Sequence, residues 1–171
     1  MLRLVTPDLV IFRVEQLEVP RLRALGLESL LLDVDCTLKN YRSEGILPEV
    51  AKWIGQLRME GIGMCLVSNG GAARIQRFAE RVELPYVAKA MKPLPFGCRT
   101  ALRKMQFDPA RTAMVGDQLF ADVMAGRLAG LFTILVHPIR PEEEPWFTRC
   151  KRPLERILAC RTQTSHEIAL D

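Results

Sequence analysis

The sequence predicts an α/β fold, a doubly wound parallel sheet of five strands, and three observations predict it. From Leu27 onward, apolar runs of strand length alternate with stretches of helical period. The runs are near-continuously apolar, as parallel strands covered on both faces are. Each run closes on polar residues and leads into the next helix, which gives right-handed βαβ crossovers.

The elements follow in order. Residues 1–27 mix short apolar stretches with Pro7 and Pro20 and form a leading segment expected to pack on the domain, with a short helix after Pro20. LESLLLDVD (27–35) is the first buried strand, ending in acids. In LPEVAKWIGQLRMEG (47–61), Val50, Ile54 and Leu57 recur at helical spacing and Gly61 stops the helix. GMCLVSNG (63–70) is the second strand. AARIQRFAERVEL (72–84) carries Ile75, Phe78 and Val82 on one stripe, and PYVAKA (85–90) is a short third strand. LPFGCRTALRKMQF (94–107) is helical, TAMVGD (112–117) a strand, QLFADVMAGRLAG (118–130) a helix and LFTILVHP (131–138) the fifth strand. The 171 residues suit one domain, with the leading segment at 1–27, a catalytic core at 28–138, and a loop and basic C-terminal helix at 139–171 whose last residues fray.

Composition narrows the classes. Hydrophobic residues make up 49% and charged residues 26%, which argues against disorder and low complexity. The most apolar stretch, 29–38, is cut by Asp33 and Asp35, so no transmembrane helix is expected. Charges and Pro7 stand where a signal peptide needs an apolar core. The formal net charge of +4 permits attraction to anionic substrates or lipid headgroups and gives no reason to expect nucleic acid. Five cysteines without a CxxC pair, and two histidines, do not make a zinc site. They read as free thiols in a reducing cytosol, hence a cytoplasmic protein. His137, after the fifth strand, reads as structural.

Ligands of open α/β sheets bind beyond the carboxyl ends of the strands. There the sequence places Asp33-Val34-Asp35-Cys36-Thr37, then Ser68-Asn69-Gly70-Gly71, then Lys92-Pro93, then Gly116-Asp117 with Asp122 in the following helix. Each alone has a plain explanation as a cap or turn. Together, in this order, they suit phosphoryl transfer. One carboxylate of the Asp33/Asp35 pair can attack phosphorus and the other can protonate the leaving oxygen and then activate water. Asp33, Asp117 and Asp122 would repel one another unless a hard cation joined them, and all-oxygen ligands select magnesium. Ser68 and the amides after it can bind phosphate oxygens, and Lys92 supplies a compact positive charge. Pro93 keeps Lys92 out of helical geometry, so Lys92 belongs to the loop before the helix.

DVDCTL, SNGG, KP and GDQLFAD, in this order and spacing, resemble the four motifs of the haloacid dehalogenase (HAD) phosphatase superfamily. More narrowly, the chain is similar to the YqeG family of HAD subclass IIIA phosphatases through the TPDL near Thr6, the GDQ triplet, the AGLFTILVHPI strand and the EPWFTR…RPLER tail, over about residues 4–158. The resemblance implies a HAD-like Rossmannoid with Asp33 as nucleophile and Asp35 as general acid/base, whose backbone carbonyl also meets Mg2+. It implies Ser68, Asn69 and Lys92 as phosphate-binding residues, Asp117 as a further metal ligand, and Asp122 as a supporting residue that orients Lys92 or acts through water. Cys36 stands where Asn, Glu or Gly is frequent. Ala121 stands where Thr is usual, and the lost hydroxyl predicts a modest rate.

Only 29 residues separate Leu38 from Ser68, and 22 separate Asn69 from Lys92. Helix and strand pairs use up both intervals, so no cap domain is expected. An open site suits a phosphate projecting from something large: a lipid headgroup, a protein or a nucleic-acid end. A relative of the resembled family in fungal mitochondria acts on phosphatidylglycerophosphate. The resemblance therefore suggests that lipid, with peripheral contact between the basic 149–161 stretch and the anionic inner face of the membrane.

Three rivals are distinguishable. A phosphorelay receiver domain would place its lysine last, whereas Gly116-Asp117 follows Lys92. A cysteine-dependent phosphatase could use Cys36 and Arg42 as C-x5-R, but the intervening residues contain no glycine to let amides cradle phosphate. A weakly active binding or scaffold protein on the same fold would be expected to lose Asp33, Asp35 or Asp117, and all are present.

Overall fold

The computed structural model describes residues 2–40 and 45–140. Six parallel strands form one sheet: β1 (Leu9–Ile11), β2 (Ser29–Leu32), β3 (Gly63–Val67), β4 (Tyr86–Val87), β5 (Thr112–Gly116) and β6 (Phe132–Val136), in the order β1-β6-β5-β2-β3-β4. The helices are α1 (Val19–Ala24), α2 (Pro48–Met59), α3 (Ala72–Val82), α4 (Phe96–Met105) and α5 (Met124–Ala129). From β2 the chain builds outward through β3 and β4, then crosses back to β5 on the other side of β2. That reversal is the switch point of a doubly wound sheet.

Five strands are expected from sequence and six are present among the described residues. The sixth, β1, lies in the leading segment and has only three residues, too few for a periodic signal. It is recruited by the open edge of β6, in the register Leu9↔Ile134 to Ile11↔Val136. Asp8 anchors it. One carboxylate oxygen accepts from the Thr133 backbone at 2.7 Å and its hydroxyl at 3.0 Å, and the other from Arg127 Nη2 at 2.6 Å. Arg127 also donates twice to the Thr6 carbonyl. The Thr6-Pro7-Asp8 sequence thus seals a sheet edge.

Strand period 2 divides the core. Leu30, Leu32, Met64, Leu66, Ala113, Val115 and Ile134 face the layer of α1, α2 and α3, where Leu22, Trp53, Ile54, Ile75 and Phe78 are buried. Leu31, Cys65, Val67 and Met114 face α4 and α5, against Cys98, Ala101, Leu102 and Ala125. Trp53 Nε1 donates to the Leu17 carbonyl at 2.9 Å, tying the leading segment to α2.

Two elements depart from the periodic reading. The third strand pairs only at Tyr86 and Val87, because the chain then folds around the end of β3. There the amides of Lys89 and Ala90 donate to Gly70 and Ser68 carbonyls, and Lys89 and Met91 take positive φ of 48° and 59°. The fourth crossover helix opens as a π-turn over Leu119–Val123 before α5. Such turns concentrate at functional sites, and this one carries Asp122. No inserted domain stands between β2 and β5 among the described residues. The expected basic C-terminal helix lies outside the described residues.

Candidate active site

Continuing the strand registers sets Asp33, one residue beyond β2, level with Val67 and Gly116. Ser68 and Asp117 stand one residue further along the neighbouring strands. The ladders run on beyond the strands: Asp33 N donates to Val115 O at 2.9 Å and Ser68 N to Val87 O at 3.0 Å. Asp33, Ser68, Lys92, Asp117 and Asp122 are all buried at this edge.

Lys92 is the hub, in the loop before α4 as the following proline requires. Its Nζ donates to Asp33 Oδ1 and to Asp122 Oδ1, each at 2.6 Å. Its backbone is gripped by Asn69, whose Nδ2 donates to Lys92 O at 2.9 Å and whose Oδ1 accepts from Lys92 N at 2.8 Å. Asn69 is expected to bind phosphate; in the structure one N–H and the oxygen of its carboxamide hold the Lys92 backbone, and a second N–H remains. The Ser68 hydroxyl accepts from Gly70 N at 3.1 Å, which curls the loop over the end of β3.

Asp122 reaches Lys92 from the π-turn, and its Oδ2 accepts from Gln118 N at 3.0 Å. A Cβ on Gly116 would overlap the Asp122 carboxylate, so glycine is required there by close approach. Thr37 Oγ1 lies 3.4 Å from Asp33 Oδ2 and 3.3 Å from Asp117 Oδ1. It has one proton and bridges the two acids.

Oxygens of Asp33, Asp117 and Asp122 all lie within 4.8 Å of one another. The carboxylate of Asp35 is not one of this trio. Arg74, in the first turn of α3, donates to its two oxygens at 2.7 and 2.6 Å, and Lys39 Nζ lies 3.0 Å from Oδ1. The carboxylates of Asp33 and Asp35 therefore have different partners because β2 ends at Leu32 and the i, i+2 pair falls in the turn. Cys36, at φ 64°, bends that turn back so that its amide donates to Lys39 O.

Electrostatics separate the two acids. Burial pushes the Asp33 carboxyl up to about 7, opposed by Lys92 and reinforced by Asp122. Burial would also raise Asp35, but hydrogen bonding to Arg74 and the charge of Lys39 outweigh it and hold the carboxyl below its usual range. Burial alone would lower Lys92, yet Asp122 and Asp33 hold it firmly protonated. One ammonium shared by two carboxylates, with Asp117 beside them, leaves the cluster short of positive charge.

Reading the sequence singled out neither Arg74, Lys39, Thr37 nor Gly116 as site residues. Thr37 and Lys39 sit within the first motif's own turn, and their spacing from Asp33 and Asp35 is a readable signal. Arg74 carries no such signal: it is one arginine among several on the solvent-facing side of α3. Cys36 is buried and Arg42, its partner in the C-x5-R reading, lies outside the described residues.

Known proteins resemble this chain in sequence and in fold. A sequence model described as haloacid dehalogenase-like hydrolase matches residues 8–130. The "Probable phosphatase YqeG" of Bacillus subtilis (strain 168) is 29% identical over 161 residues, 94% of this chain and 93% of the relative. Among solved structures, the 3-deoxy-D-manno-octulosonate 8-phosphate phosphatase of Moraxella catarrhalis, in complex with magnesium ion, phosphate ion and KDO, is similar with a TM-score of 0.54 at 15% identity. That match covers 86% of this chain and 97% of the other. The cobalt-bound phosphatase YrbI of Haemophilus influenzae also scores 0.54 at 15% identity, over 66% of this chain and 69% of the other. The structural likenesses show the fold, and the sequence matches support a phosphatase.

Proposed function

This chain belongs to the haloacid dehalogenase-like hydrolases, and from that membership we propose a magnesium-dependent phosphomonoesterase that works through an aspartyl-phosphate. The observation that carries the reading is the buried trio of Asp33, Asp117 and Asp122, two of whose members, Asp33 and Asp122, share the Lys92 ammonium.

The residues fit a divalent cation. The donors are all oxygen, they are buried, and their negative charge exceeds what Lys92 offsets. Asp33, Asp117 and the backbone carbonyl of Asp35 would hold it. Bound there, it would offset charge on the phosphoryl oxygens.

In this reading Asp33 attacks phosphorus while the bond from phosphorus to the leaving alcohol breaks. Asp35, ionised at rest, takes up a proton from solvent as substrate binds and gives it to that alcohol oxygen. Asp35 then takes a proton from water, the water oxygen attacks the aspartyl-phosphate, and inorganic phosphate and free Asp33 result. Ser68 and Lys92 bind the phosphoryl oxygens, Asn69 keeps Lys92 in place, and Asp122 orients the Lys92 ammonium. Arg74 holds Asp35 ionised in the resting protein. The Arg74 side chain is 43% exposed, so it can move aside as Asp35 takes up that proton.

For substrate, the reading favours a monoester on a large or membrane-held molecule, phosphatidylglycerophosphate first. Support comes from the lack of an inserted domain among the described residues and from the basic balance of the chain. Among the described residues no helix is long and apolar enough to cross a membrane. The test compares kcat/KM on phosphatidylglycerophosphate in mixed micelles with glycerol 3-phosphate, nucleotides and phosphopeptides. A lead for the lipid is expected. A lead for a small soluble phosphate would overturn the size argument.

A further inference from the structure

Six large apolar side chains are exposed among the described residues, and four of them share one edge of the sheet. Leu25 and Met59 are the exceptions: they stand at the ends of α1 and α2, which lead into β2 and β3, and so lie at the opposite edge. The four are Phe12, 63% exposed, and Met91, Leu94 and Phe96, at 59%, 44% and 53%. Phe12 directly follows β1, and the other three follow β4, in the loop that carries Lys92 and at the start of α4. All stand at the carboxyl edge, where the acidic cluster lies.

The four form two flanks of that cluster. Continuing the strand registers puts Phe12 level with His137, Gln118 and Asp35. His137 N donates to Ile11 O at 3.2 Å and the two rings lie 4.8 Å apart, so the pairing of β1 with β6 continues to this level. The amides of Phe12 and Arg13 donate to Gln16 Oε1 at 2.7 and 3.1 Å, which fixes this flank from behind. The other flank rises over the end of β3, where the Lys89 and Ala90 amides are anchored. Leu94 N donates to Met91 O at 2.9 Å and closes a turn around Lys92. The turn that sends the Lys92 ammonium inward leaves Met91 and Leu94 facing solvent. In the order β1-β6-β5-β2-β3-β4, four strand spacings, roughly 20 Å, separate the flanks. The acids beyond β2 and β5 lie between them.

Charge follows the same division. From Leu84 to Phe107 the chain has Lys89, Lys92, Arg99, Arg103 and Lys104 and no Asp or Glu. Lys92 is buried in the site, whereas Lys89 and Arg99 are exposed next to the apolar tips. Arg13 is exposed beside Phe12, with the half-buried Glu15 as the acid nearest to it in sequence. Apolar tips with cations set behind them suit the interface of an anionic bilayer, where the tips enter the headgroup boundary and the cations meet the headgroups. A body resting on both flanks covers the site between them, so substrate has to arrive as part of that body. A bilayer that holds the phosphomonoester meets this condition.

We propose that the carboxyl edge of the sheet docks on an anionic bilayer, with Phe12 on one flank and Met91, Leu94 and Phe96 on the other entering the interface. Lys89, Arg99 and Arg13 meet the headgroups, and the acidic cluster faces the membrane. The proposal rests on the reading of a membrane-held substrate for its use in catalysis but not for the binding itself.

Vesicles of phosphatidylcholine with phosphatidylserine, whose headgroups carry no phosphomonoester, test the surface apart from the chemistry. The full chain should cosediment with them, less at high salt and less with phosphatidylcholine alone. Phe12→Gln, and the triple change Met91→Gln, Leu94→Gln and Phe96→Gln, should each weaken binding about tenfold. Lys89→Gln with Arg99→Gln should weaken it about fivefold. In all of these, kcat/KM for a soluble aryl phosphate should stay at the wild-type value. Phe12→Trp and Phe96→Trp, made singly, should each add fluorescence that brominated lipid quenches, and these changes at exposed positions keep the test decisive should the triple variant not fold. If the chain binds in this way but hydrolyses no monoester, the surface stands and the phosphatase reading fails. Quenching on one flank only overturns the proposal, and so does binding that survives every variant, as contact through the basic 149–161 stretch would. Hydrolysis without vesicle binding also overturns it, and a dimer in solution that Phe96→Gln dissociates would then give the rim to a second copy of the chain.

Discussion

Asn69 grips Lys92 at both ends of one residue, accepting from its amide at 2.8 Å and donating to its carbonyl at 2.9 Å. The ammonium that these bonds aim lies between Asp33 and Asp122. A turn residue of the second motif thus sets the position of a charge in the third. Asn69→Ala should lower kcat more than it raises KM, with loss of about 1–2 kcal/mol of stability for two hydrogen bonds. Steady-state kinetics and chemical denaturation check it, and an unchanged kcat would show that Lys92 is positioned without Asn69.

Asp33→Asn should abolish phosphate release from an aryl phosphate, by roughly three orders of magnitude or more, while the fold persists. Retention of over a tenth of the wild-type rate would refute Asp33 as the nucleophile.

Stability without metal should depend on pH through Asp33. Its carboxyl titrates near 3.8 when unfolded and at about 7 when folded. Between those values the native state binds more protons than the unfolded state, so stability falls as pH rises. Asp35 acts in the opposite sense: its folded value is lowered, so its contribution is present above the unfolded value and lost as pH falls. With chelator present, denaturation at pH 5 and pH 8 should show the protein weaker at pH 8, and Asp33→Asn should flatten that slope. An Asp33→Asn protein with the same slope as wild type would assign the effect elsewhere.

Lys92→Ala should be costly to both fold and function. It leaves Asp33 and Asp122 buried without their shared cation, a situation that typically costs about 3–5 kcal/mol. Lys92→Arg should not rescue activity, because a planar fork does not fit a space shaped for a point charge. Wild-type melting temperature in Lys92→Ala would contradict this account.

Activity should require magnesium, and chelation should remove it. Magnesium should also raise the melting temperature, and Asp117→Asn should abolish that rise. Cys36→Ser should remain active, since the cysteine's backbone amide and carbonyl shape the turn and both survive the change. A dead Cys36→Ser protein that ignores chelator would favour cysteine chemistry instead.

Gly116→Ala should displace Asp122. The added methyl overlaps its carboxylate, and overpacking of this kind costs about 1–3 kcal/mol. Lower kcat with a lower melting temperature is expected.

The sequence alone determined the alternation of strands and helices, because buried strands and amphipathic helices impose periods that a linear reading can detect. It also determined which residues end each strand, so Asp33, Ser68, Lys92, Asp117 and Asp122 were legible as candidates. Tertiary structure decided what pairs with what. The edge strand Leu9–Ile11 exists because β6 offers unpaired backbone, not because three residues carry a pattern. The sequence offered Asp33 and Asp35 as a pair dividing attack on phosphorus from proton transfer, without showing their partners. The turn at Cys36 and the arrival of Arg74 from α3 gave Asp35 separate partners. Asn69 was legible as a polar loop residue, but only the fold showed its carboxamide engaged with Lys92. Local sequence fixes period and residue type, whereas partners more than twenty residues away are chosen by how the sheet brings strand ends together.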